Sequence, residues 1–149
     1  MKETIVHQLK EEHKQLMKVL YQLDQHLLSI KNQGCTAKNI EPLLHILDYI
    51  QVYPELWHHP VGDIIFAHLL EKLHHEDAAK STDVANIIEE HGMLEALTTN
   101  LQNLINDMSA QNTVLPVHKL SRMAHHYINM QLKHIEKELG GYQCTLLDL

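Results

Sequence analysis

A stripe of leucines at helical spacing opens the chain, and a histidine sits in its register. Leu9, His13, Leu16, Leu20, Leu23 and Leu27 recur at three- and four-residue intervals. That interval stacks side chains on one face of an α-helix. His13 therefore takes a core position in a helix predicted from about Lys2 to Ile30. The pattern returns three times. A second helix runs from Asn39 or Ile40 to about Leu73, with Leu43, Leu47 and Ile50 inward. Pro54 and Pro60 interrupt it, and each removes an amide donor and favours a kink, which turns His58–Asp63 toward the axis. A third helix starts at Asp83 as N-cap and buries Ile87, His91, Leu94, Leu97, Leu101, Leu104 and Met108, with Thr98 at the margin. A fourth follows Pro116 at its first turn, shows Leu120, Ala124, Tyr127, Gln131, His134 and Glu138 on one face, and stops at Gly140–Gly141.

Only five glycines and four prolines punctuate the 149 residues, and no stretch alternates long enough for a strand. The prediction is an all-α chain, an up-down-up-down four-helix bundle joined by loops at 31–38, 74–82 and 109–114. A chain of this length buries roughly 70% of its unfolded surface without staples. It reads as a single domain, 1–149, with its core at about 2–140 and a short tail at 141–149.

Charge and hydropathy narrow the function. A net charge of −7 and no basic run argue against a nucleic-acid partner, which needs a basic face. No apolar run approaches the roughly 20 residues of a membrane span. The N-terminus MKETIVHQLKEEHK lacks the apolar centre of a secretion signal. Cys35 and Cys144 lack Cys-x-x-Cys spacing and read as free thiols of a reducing compartment. The expectation is a cytoplasmic protein with no membrane partner.

The fourteen histidines demand an explanation. Four clusters fall on the four helices: Glu12-His13, then His58-His59 with Asp63 four residues after His59, then Glu90-His91, then His134 with Glu138. A spacing of four places both side chains on one helix face, a turn apart. A lone inward histidine is usually a hydrogen-bonded core residue. Several in one core would be costly, since buried polar groups need partners. Imidazole and carboxylate without thiolate suit iron better than a structural zinc finger. Deprived of metal, the buried neutral imidazoles of His13, His91 and His134 would have to charge as pH falls, with loss of stability. The chain also reads as two weakly similar halves, offset by about 75–80 residues (His13 to His91, His59 to His134).

The order of these motifs resembles the hemerythrin-like (HHE cation-binding) domain family, from about Leu9 to Glu138. The resemblance implies a bundle around non-heme iron, usually two ions, that binds or senses dioxygen or a related small oxidant. Its alternatives are a di-iron oxidase or peroxidase, a nitric-oxide-handling enzyme, or a metal-depleted interaction module. The ligand set read from the motifs is His13, His58, His59, His91 and His134, with Asp63 and Glu138 as carboxylates. One departure stands out. Many relatives carry an acidic residue four positions after the first histidine of HHP, and here that position is Gly62. Asp63 is in register with His59 instead, and apolar neighbours on both faces leave open which histidine points inward. The site is then di-iron with Asp63 bridging, di-iron with an asymmetric bridge, or mononuclear. Gln131 stands where some relatives have a further histidine. Tyr127, and His125 or His126, are candidates for supporting positions.

Overall fold

In a computed structural model, which describes residues 2–73, 77–111 and 117–139, the chain forms four antiparallel rods and, among the described residues, no strand. The first rod is α1 (Lys2–Gln33). The second is composite: α2 (Ala37–Ile50), π-helical turns over Gln51–His58, and α3 (His59–Leu73). The third is α4 (Ala78–Gln111) and the fourth α5 (Val117–Lys137). α1 packs on α2 and α5, and α4 packs on α3 and α5, so consecutive rods are neighbours, as in an up-down-up-down bundle.

The predicted stripes are the buried ones. Leu9, His13, Leu16, Leu20, Leu23 and Leu27 are buried on α1, and Leu43, Leu47 and Ile50 on α2. Leu120, Ala124, Tyr127, Gln131, His134 and Glu138 are buried along α5 and its final turn. On α4, Thr98 is fully buried rather than marginal, while Leu97 and Leu104 are only half-buried. Met108, Pro116, Gly140–Gly141 and the tail fall outside what is described.

Helix boundaries differ from the expected ones where capping groups set them. α4 begins five residues before Asp83, because Asp77 accepts the Lys80 amide at 3.1 Å and caps the first turn. The first loop shrinks to Gly34–Thr36. Gly34, at φ +86°, ends α1 in the left-handed conformation that glycine tolerates, and its amide returns to Ile30 O at 2.9 Å. The prolines do not break the second rod. Wider π-helical turns contain Pro54, and such turns are a common feature of functional sites.

The core comes in two parts. A large apolar cluster joins Leu16–Ile30 side chains of α1 to Leu43, Leu47 and Ile50, Leu94, Leu101, Leu120 and Ile128. A smaller one joins Phe66, Leu69 and Leu73 of α3 to Val84 and Ile87 of α4. His58 and His59 lie in sequence between Ile50 and Phe66, and His91 between Ile87 and Leu94. The histidines therefore form a polar layer between two dry ones.

Candidate metal centre

Five imidazoles and one carboxylate meet in that layer. His13, His58, His59, His91, His134 and Glu138 are each no more than 4% exposed. They sort into two groups whose ligand-type atoms lie within 4.8 Å of one another: His13, His58 and Glu138, and His59, His91 and His134. Glu138 spans both. Its Oε2 lies 2.5 Å from His13 Nε2 and 3.6 Å from His58 Nε2. Its Oε1 lies 3.1 Å from His91 Nε2 and 2.9 Å from His134 Nε2.

Both histidines of the HHP motif point inward. Successive residues on an α-helix diverge by about 100°, so the sequence left open which of them faced inward. The π-helical turns end at His58 and α3 begins at His59, and at this change of pitch both rings enter the core. The two halves are consequently paired differently from the sequence repeat. His58, not His59, is the counterpart of His134. Glu12 Oε2 accepts from His58 Nδ1 at 2.5 Å, as Glu90 Oε2 accepts from His134 Nδ1 at 2.9 Å.

These two contacts explain the Glu-His dyads. Neighbours on a helix point in different directions, so His13 and His91 reach the axis while Glu12 and Glu90 reach the next rod. Glu90 is itself held by Lys137. Asp63 performs the same task for His91. Its Oδ1 accepts from His91 Nδ1 at 2.6 Å, and its side chain is 40% exposed. The sequence-predicted carboxylate ligand thus stands behind an imidazole, outside both groups. Carboxylates in this position fix ring orientation and tautomer and raise the basicity of the inward nitrogen.

Glu95 is not among the residues the sequence motifs singled out, although His91-x-x-x-Glu95 repeats the spacing of His134 and Glu138. Its Oε1 lies 3.6 Å from His59 Nδ1. His125 proves peripheral: it is exposed and pairs with Asp24 at 2.9 Å. Tyr127 is buried one turn before Gln131, whose Oε1 lacks a partner.

Electrostatics divide the imidazoles. Burial lowers the basicity of His59, and His91, His134 and His58 lower it further, so its pKa is pushed down to about 2. Burial also opposes charge on His58 and His134. There the carboxylates outweigh it, Glu138 and Glu12 for His58, Glu138 and Glu90 for His134, and both pKa values are raised. His134 therefore runs against the expectation of a neutral ring that must be forced to charge. Burial disfavours the Glu138 carboxylate, yet the surrounding histidines hold its pKa well below the usual range.

The donors fit a cation. Neither ring nitrogen of buried His59 has a hydrogen-bond partner. His134 Nε2 lies close to Glu138 Oε1 but off the hydrogen-bonding direction, as when two lone pairs converge on a third point. Metal–nitrogen bonds of about 2.0–2.1 Å place neighbouring ligand atoms about 3–4 Å apart; the ligand-type atoms of each group lie within 4.8 Å of one another, with His13 and Glu138 closer at 2.5 Å.

The family described as hemerythrin HHE cation binding domain matches residues 4–144, and the chain belongs to it. Comparisons with curated proteins and with solved structures give no match.

Proposed function

We propose that this chain holds two non-heme iron ions and binds or senses dioxygen, or a related small oxidant, in the cytoplasm. One ion would sit among His13, His58 and Glu138, the other among His59, His91 and His134, with Glu138 contributing its second oxygen. Asp63, Glu12 and Glu90 would orient ligands rather than bind. The observation that carries this reading is Glu138, one buried carboxylate with an oxygen turned to each histidine group. Mixed imidazole and carboxylate donors suit iron. When bound, iron supplies reversible dioxygen binding or electron transfer to a small oxidant. The chain's own part is to present the inward imidazole nitrogens, hold three of the rings from behind with carboxylates, and exclude water with the apolar layers above and below. Among the described residues no helix is long and apolar enough to cross a membrane.

The test is anaerobic loading with Fe(II), followed by elemental analysis and exposure to air. Two irons per chain and a visible absorption that reverses on deoxygenation support the reading. Turnover of hydrogen peroxide or nitric oxide instead would make it an enzyme. A fully helical protein that takes up no iron would refute it.

A further inference from the structure

We propose that Gly62 leaves open the seat of a second carboxylate, and that a small free monocarboxylate of the formate or acetate class takes it in the metal-loaded protein. This rests on the reading of a two-metal site. The two halves of the layer are built alike: Glu12 holds His58 as Glu90 holds His134. Four residues after His134 stands Glu138, the carboxylate shared by both groups. Four residues after His58 stands Gly62, which has no side chain to offer.

The position faces the site. Gly62 is buried, and a Cβ built there would meet His91 Cε1 and the Phe66 ring, both at 3.7 Å. Those are ordinary contacts, so the backbone has not closed over the place that a side chain would occupy. The neighbouring carboxylate does not substitute, because Asp63 turns away to His91 Nδ1.

Charge favours an anion there. The inward donors are five imidazoles and only one carboxylate, in a layer shielded from water. Two divalent cations held this way would meet one carboxylate directly, while Glu12, Glu90 and Asp63 act only from behind the imidazoles, and buried charge is costly unless closely paired. A monocarboxylate supplies what the glutamate end of a longer side chain would supply: one negative charge and two oxygens, able to reach both groups as Glu138 does. Phe66 on one side limits the guest to a small one.

The probe is sodium formate, added anaerobically to the full chain after its iron content has been measured. For loaded wild type, the expectation is a melting temperature that climbs with the logarithm of formate concentration, and broadening of the ¹³C-formate resonance by the paramagnetic ions. Metal-free protein should show neither. Gly62→Ala should keep both responses, since only a Cβ is added. Gly62→Glu should take up two irons and lose both responses, because its own carboxylate fills the seat. Gly62→Asp, with the same charge on a shorter arm, gives the same reading where the longer side chain does not fold. Loaded wild type that ignores formate, or a loaded Gly62→Glu that responds as wild type does, overturns the proposal. A protein that binds no iron fails earlier, at the metal analysis, and sinks the two-metal reading itself.

Discussion

Removing Asp63 should weaken metal binding without removing a metal. Asp63 accepts a short bond from His91 Nδ1, but its side chain is 40% exposed. A hydrogen bond to a charged group contributes about 1.5–3 kcal/mol when well shielded, and solvent screening places Asp63 at or below the lower figure. About 1.4 kcal/mol is tenfold in affinity, so Asp63→Ala should cost about tenfold. Glu12 makes an equally short bond to His58, with both side chains no more than 7% exposed. Glu12→Ala should therefore cost more, toward the hundredfold end of the range for residues that orient metal ligands. The assay is competition for Fe(II) against a chelator of known affinity, read together with stoichiometry at saturation. Both variants should still reach two metals per chain at saturation, with Glu12→Ala the weaker. Glu138→Ala, which removes oxygens from both groups, should fall short of two at any concentration. If Asp63→Ala saturates at one metal while Glu12→Ala binds like wild type, Asp63 is a ligand and does not act from behind His91.

Three further outcomes follow from the same structure. Free metal at a hundredfold above its dissociation constant stabilises the folded state by about 2.7 kcal/mol, or roughly 5–10 °C in Tm for a domain of this size; melts that coincide with and without chelator would contradict a filled core. Burial raises the pKa of Glu55 to about 7; Glu95 adds to this and the Thr98 hydroxyl, which donates to Glu55, opposes it. A raised carboxyl pKa means stability present below the ordinary carboxyl range and lost as pH rises through about 7. Metal-free Glu55→Gln should therefore gain Tm over wild type on going from pH 5 to pH 8, and parallel curves would refute the assignment. Leu20 is 2% exposed in the large cluster, so Leu20→Ala should cost about 2–5 kcal/mol in chemical denaturation, with two irons per folded chain retained; loss of iron from the folded variant would mean the layers are not separable.

The sequence by itself determined the rods and the inward face of α1, α2, α4 and α5, but not that of α3. On α1 and α5, leucines, histidines and Glu138 share one helical period, and that period survives folding because burial of one stripe is what makes each helix stable. The residues that converge on the centre were accordingly legible one helix at a time. What periodicity does not carry is the partner across the bundle. Whether Asp63 reaches the centre or the back of His91 depends on the rotation and axial register of α3 against α4, and packing of Phe66 and Leu69 on Val84 and Ile87 sets those. The targets of Glu12 and Glu90 were hidden for the same reason, since each acts on a histidine of another rod 46 or 44 residues away. Helical period likewise left open which of His58 and His59 faces inward. Both do because the second rod changes pitch between them, a choice made by the tertiary fit around Pro54 and not by the spacing of apolar residues.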